Sequence, residues 1–250
     1  MSEEFKKLIC KFKEISRMRY IKGINNNLFN AAGLTFESML GKKADSMFFP
    51  DYDGIEIKCT QRYSRYPIGL FSLSFDGPEL FETNYLLQKY GYRDYIFFGY
   101  KKLIANLKYH EKIYVGNKYF ELDIDEDNKR IQINIYNKKH VLLEQRGFID
   151  FNTIKSRLEV KLSNLCLVYA SKKKIENNLY FRYYKIECYT LKDFDSFIEL
   201  IKEDKIKLSI ILRFSRNIET LGKNKNKGVT FAIEKDCVDK LFNKIYNYEI

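Results

Sequence analysis

The chain has 250 residues, 45% of them apolar, including 20 Tyr and 20 Phe. That length suits one large domain, and that apolar content is enough for a packed core, which excludes a disordered chain. Charged residues make up 31%, and the longest apolar runs, at 165–170 and 208–212, are too short to cross a bilayer, which excludes an integral membrane protein. The formal net charge of +11 points to an anionic partner, although the abundance of Lys, Ile, Asn and Tyr and the absence of Trp resemble the output of an AT-rich genome, so part of the excess is compositional.

In chain order, residues 3–20 place Phe5, Leu8, Ile9, Phe12 and Ile15 on one face of an amphipathic helix. The stretch 23–33, with Asn25 to Asn27, reads as a loop, and a short helix follows, capped by Thr35 and stopped by Gly41. A turn at Tyr52-Asp53-Gly54 feeds an alternating strand at 55–60; a second strand is expected at 68–75 and a helix at 79–90. Strands at 113–122 and 130–136 read as a hairpin over the acidic turn 123–127, followed by a helix from Asn152 or Thr153 to about Lys161. Strands at 165–170 and 180–188, a helix at 192–202, a strand at 207–213, a basic loop at 215–227, a strand at 228–233 and a closing amphipathic helix at 235–246 complete the reading, with Lys172-Lys-Lys174 as a turn. The mixture predicts an α/β (α+β mixed) fold with a central mixed sheet flanked by helices.

The N-terminus, Met-Ser-Glu-Glu, lacks the basic and apolar regions of a signal peptide, so a cytoplasmic location is expected. Five cysteines without CxxC spacing read as free thiols rather than a zinc site or disulfides, and only two histidines, His110 and His140, weaken His-based catalysis.

The chemistry concentrates in Pro50-Asp51-Tyr52-Asp53-Gly54-Ile55-Glu56-Ile57-Lys58. Side chains alternate across a strand, so Glu56 and Lys58 share one face while Ile55, Ile57 and Cys59 take the other. Asp51, before the turn, can swing its carboxylate toward Glu56. Two carboxylates so placed make a hard-oxygen site suited to Mg²⁺, which can acidify a water and balance charge on a phosphate. Lys58 beside them can orient that water. Glu-x-Lys alone is also what an ordinary edge strand with one exposed ion pair looks like; the preceding Pro-Asp and Glu37 on the short helix favour a metal site.

Asp51-x4-Glu56-x-Lys58 resembles the PD-(D/E)xK nuclease signature. Its context, Gly33-Leu-Thr-Phe-Glu-Ser-Met-Leu-Gly41, Pro50-Asp51, Gly54-Ile-Glu-Ile-Lys58 and Ile68-Gly-Leu-Phe-Ser72, resembles the MvaI/BcnI family of type II restriction endonucleases, related to the mismatch-repair nickase MutH. Leu86-Leu87-x-x-Tyr90-Gly91-Tyr92, Phe197-Ile-x-Leu-Ile201, Lys205-Ile206, Gly228-Val-Thr-Phe231 and Leu241-Phe242 extend the likeness to about residues 15–245. The resemblance implies a restriction-endonuclease-like fold and a single nuclease domain over 1–250, with a catalytic lobe near 20–110 and a DNA-recognition lobe near 150–250. It implies Asp51 and Glu56 as ligands of Mg²⁺ (or Mn²⁺), Lys58 as the third catalytic residue and Glu37 as a helix glutamate close to the site. It further implies a monomer cutting double-stranded DNA to 5′-phosphate ends, with a cognate DNA methyltransferase encoded nearby. One departure is Lys227, where the family tends to place a His before the glycine of the C-terminal strand as a DNA contact.

Between residues 205 and 233, seven bases (Lys205, Lys207, Arg213, Arg216, Lys223, Lys225, Lys227) face one acid, Glu219. A nuclease must neutralise phosphates and read base edges, and Arg213 and Arg216 are the better guanine readers because Arg pairs bidentately. Arg62, just after the catalytic strand, and Lys227 are further DNA-binding candidates. The rival readings are a partner-activated MutH-like nickase, a catalytically silent DNA-binding protein, and an RNA-binding protein, which explains the charge but not the carboxylates.

Overall fold

The computed structural model describes residues 1–26, 30–41, 49–61, 63–77, 81–213 and 228–250. The chain clusters into two compact units, one of Met1–Ile68, Arg157–Asp193 and Lys235–Ile250, the other of Gly69–Ser156 and Phe194–Glu234. The segments expected as lobes, 20–110 and 150–250, each contribute to both units.

The first unit begins with helix α1 (Glu3–Arg17), strand β1 (Ile21–Lys22), helix α2 (Ala31–Met39) and strand β2 (Glu56–Gln61). In the second unit come β3 (Ile68–Leu73), which starts at the boundary, α3 (Phe81–Tyr90), β4 (Tyr92–Arg93), β5 (Lys101–Leu107), β6 (Ile113–Val115), β7 (Lys118–Asp125), β8 (Arg130–Tyr136) and β9 (Leu142–Asp150). Helix α4 (Phe151–Leu162) leads back to the first unit, which resumes with β10 (Asn164–Ile175) and β11 (Asn178–Leu191). The second unit then adds α5 (Phe194–Lys202), β12 (Ile206–Arg213) and β13 (Val229–Ile233). A 3-10 turn at Lys235–Cys237, the short α6 (Val238–Leu241) and β14 (Phe242–Glu249) return to the first.

The sheet of the first unit runs β1-β11-β10-β2, with β14 also paired to β11. Strand β2 lies parallel to β10, with Glu56 opposite Leu165, Ile57 opposite Cys166 and Lys58 opposite Leu167. Opposed residues share a face, so Ile57, Cys166 and Val168 join Cys188 and Ile186 beneath the helices. There they meet Phe5, Leu8, Phe12 and Ile15 of α1 and Phe36 of α2 in one apolar cluster. The period of α1 is therefore set by this sheet face: its five apolar side chains are all buried. Glu56, Lys58, Leu165 and Leu167 take the opposite face.

The second unit holds a sheet ordered β3-β13-β12-β5-β4 and another ordered β6-β7-β8-β9. Phe71, Phe197 and Phe231 pack ring against ring, 5.1 to 5.9 Å between centroids, joining β3, α5 and β13. Gly228 precedes β13 with φ +62°, and a Cβ there would stand 2.1 Å from the Leu73 carbonyl oxygen, so no other residue fits.

Several expected elements differ. Thr35 is buried inside α2 rather than capping it, and its hydroxyl accepts the Ile24 N–H at 3.2 Å. The expected strand 113–122 is two strands, β6 and β7, because Gly116 at φ +65° allows a turn between them. Lys172, Lys173 and Lys174 are not a turn: they pair with Phe181, Tyr180 and Leu179 in a hairpin whose bend falls beyond Ile175. The expected closing helix ends at Leu241, and Phe242–Glu249 is a strand. Helical periodicity suits that segment about as well as alternation does, and open hydrogen-bonding groups on β11 decide for the strand. The two-residue edge strands β1 and β4 and the mostly exposed start of β9 carry little apolar alternation and were not foreseen; nor was β5, although Leu103, Ala105 and Leu107 alternate into the core along it.

Candidate active site

Tyr52 and Ile55 bond each other's backbone at 2.9 and 2.7 Å, closing a two-residue turn. Its central residues, Asp53 at φ +42° and Gly54 at φ +80°, define a type I′ turn, for which Asp-Gly is a favoured pair. Such a turn sets the residue before it across from the residue after it, so Asp51 lies opposite Glu56. The Asp51 carboxylate accepts the Ile57 N–H at 3.0 Å, which pins it to the start of β2. On that strand the Lys58 ammonium donates to Glu56 Oε1 at 2.5 Å.

Glu56 is only 1% exposed. A carboxylate that deep needs compensating cations, and α4 supplies them. Lys161 Nζ lies 2.9 Å from Glu56 Oε2, and it also donates to the Phe49 carbonyl at 3.3 Å. That Lys161–Glu56 contact is an ion pair by distance without hydrogen-bond alignment: Oε2 is buried and accepts no hydrogen bond. Arg157, one helical turn before Lys161, is lowered by burial and pulled back up by the charge of Glu56. The apolar side of α4, with Ile154, Leu158 and Leu162 fully buried, holds both cations in place.

Glu37 sits on α2 beside the strand. Its charge, after burial, pushes the Cys59 thiol up to about 12, and its Oε1 lies near Gly33. This places Glu37 next to Cys59, the residue after Lys58, on the apolar side of β2. Arg213 ends β12, opposite Lys102 of β5. Arg62, Arg216 and Lys227 lie outside the described residues, as do Lys223 and Lys225. Lys205 and Lys207 share one carboxylate, Glu234, at 3.5 and 3.1 Å, so each has an acidic partner but only one of the two charges is balanced. His110 and His140 occupy left-handed turn positions, at φ +53° and +59°, and His140 stacks on Tyr119.

Sequence reading missed Lys161 and Arg157. Their i, i+4 spacing on a helix far along the chain from β2 looks like an ordinary solvated face, and nothing local links it to Glu56. The five cysteines are free thiols, with the buried Cys166 and Cys188 side by side across β10 and β11.

The two carboxylates fit a divalent metal ion. Both are hard oxygen donors, and Glu56 Oε2 is a buried polar atom without a hydrogen bond.

No curated protein sequence matches the chain. Among solved structures, one described as "Restriction endonuclease MvaI-cognate DNA substrate complex" matches with a TM-score of 0.89 at 21% identity, covering 98% of each chain. One described as "Restriction endonuclease MvaI in the absence of DNA" matches with a TM-score of 0.62, also at 21% identity and 98% coverage of each. The mixed fold is thus the restriction-endonuclease-like one expected. A model of the MvaI/BcnI restriction endonuclease family matches residues 9–242, nearly the whole chain, and the protein belongs to that family of site-specific DNA-cleaving enzymes.

Proposed function

We propose that the protein is a Mg²⁺-dependent type II restriction endonuclease of double-stranded DNA in which Asp51 and Glu56 hold the metal. Lys58 completes the catalytic set and Glu37 stands near it. The observation that carries the reading is the type I′ turn setting Asp51 against Glu56, with the Lys58 ammonium on Glu56 at 2.5 Å. Mn²⁺ has the same preference for oxygen donors and is expected to substitute.

When bound, the metal supplies Lewis acidity, lowering the pKa of a water and balancing charge on the scissile phosphate. Asp51 stays oriented through its bond to the Ile57 N–H. Glu56 brings a carboxylate already stripped of water. Lys58, 28% exposed against the 1% of Glu56, reaches outward from the strand and orients the attacking water while its charge faces the phosphate. The products are a 5′-phosphate and a 3′-hydroxyl. Arg213, and the candidates Arg62, Arg216 and Lys227, contact DNA. Among the described residues no helix is long and apolar enough to cross a membrane. A cytoplasmic monomer acting beside a cognate methyltransferase is part of the same reading.

Purified protein with Mg²⁺ should cut plasmid or phage DNA into discrete bands, and Asp51→Ala or Lys58→Ala should abolish them. Random degradation, nicking without double-strand breaks, or undiminished cutting by those variants overturns the proposal.

A further inference from the structure

Glu56 Oε2 meets a cation already built into the chain. Lys161 Nζ stands 2.9 Å from it, with only 12% of the Lys161 side chain exposed. A Mg²⁺ ion binding that oxygen would lie about 2.1 Å away. An ammonium and a divalent ion cannot both crowd one carboxylate oxygen without strong repulsion. Glu56 Oε1 offers no easier approach, because Lys58 occupies it at 2.5 Å.

We infer that Lys161 is a positioning residue that acts as an internal counter-cation: it neutralises Glu56 while the site is empty and must leave Oε2 before a divalent ion binds. This rests on the reading of Glu56 as a metal ligand. The geometry suits such an exchange. Helix α4 is anchored by the buried Ile154, Leu158 and Leu162, so only the lysine stem needs to move. Nζ already has a second acceptor, the Phe49 carbonyl at 3.3 Å, just before Pro50-Asp51, so it need not move into solvent. Arg157 contributes charge from the same helix face, so the pocket keeps positive potential when Lys161 swings away. A phosphate entering the site gives the displaced ammonium an anionic partner. Metal and DNA binding thereby favour each other, and by linkage the effect is reciprocal. The arrangement discourages the DNA-free protein from loading metal.

The test is calorimetric titration of the full-length, DNA-free protein with Mn²⁺. Wild type should bind weakly, and Lys161→Met, which keeps most of the stem and removes the charge, should bind about tenfold or more tightly, in the range of ordinary coupling between sites. Lys161→Arg, which keeps the charge, should stay close to wild type. A purely structural lysine would change Mn²⁺ affinity downward or not at all, so unchanged or weaker binding by Lys161→Met overturns the inference. If Lys161→Met does not fold without metal, Lys161→Gln is titrated in its place under the same criterion. Glu56→Gln separates the two ideas: if it leaves Mn²⁺ binding intact, Glu56 is not a metal ligand and the catalytic reading fails. If it removes binding while Lys161→Met has no effect, only the counter-cation inference fails.

Discussion

At the residue scale, backbone geometry brings Asp51, Glu56 and Lys58 together at the start of β2. Asp53 and Gly54 both have positive φ, and the turn they form aims Asp51 at the strand. Gly54 has free space around it, so Gly54→Ala tests conformation alone. It is expected to cost about 1 kcal/mol, the penalty of a left-handed non-glycine residue, read as a shift in urea midpoint, with slower cleavage because Asp51 loses its register. Asp51→Asn keeps an acceptor for the Ile57 N–H, so the fold should survive while cleavage falls about a thousandfold, the several kcal/mol a metal site supplies. Glu56→Gln should behave differently. It strands Lys161 in a buried position and is expected to lower stability by about 3 kcal/mol in denaturant melts, as well as removing activity.

At the element scale, β14 is the main revision of the sequence reading. It closes the sheet against β11, and Lys244 on it reaches Glu187 at 3.2 Å. Tyr169 and Tyr189 also donate to Glu187, at 2.5 and 2.9 Å, and Lys185 pairs with it at 3.0 Å. Burial alone would raise the Glu187 carboxyl, but the hydrogen bonds from Tyr169, Lys185, Tyr189 and Lys244 outweigh it and bring it down to about 2. A depressed carboxyl stabilises the fold above its unfolded value of 4.5 and loses that contribution as pH falls toward 2. Acid denaturation should therefore show stability declining over that window, and Glu187→Gln should flatten the decline; an unchanged pH profile would refute the assignment. Phe242, 1% exposed at the start of β14, should cost about 3 kcal/mol when changed to Ala.

At the scale of the whole molecule, the net charge of +11 gains a finer meaning. Lys205 and Lys207 share Glu234, and Arg213 stands at the end of β12 opposite Lys102. DNA binding should weaken steeply with salt, because phosphate contacts release counterions. Arg213→Ala should lower the slope of log K against log salt by about one, and Lys207→Ala should leave it nearly unchanged, measured by fluorescence anisotropy on duplex DNA. Equal slopes for both variants would remove Arg213 from the interface.

By itself the sequence determined the mixed α/β class, the amphipathic α1, the turn and strand carrying Asp51, Glu56 and Lys58, and the family. The elements rest on local rules, namely side-chain period, the Asp-Gly turn and a motif confined to nine consecutive residues, and the family on short segments spread along the chain, each legible by itself. Tertiary structure alone decided that 242–249 is a strand, that Lys172 to Lys174 continue β10, and that Lys161 and Arg157 of α4 surround Glu56. Each of these depends on partners distant in the chain. An open strand edge selects between helix and strand, and a buried carboxylate draws its counter-charges from wherever the fold brings them, at separations no local pattern encodes.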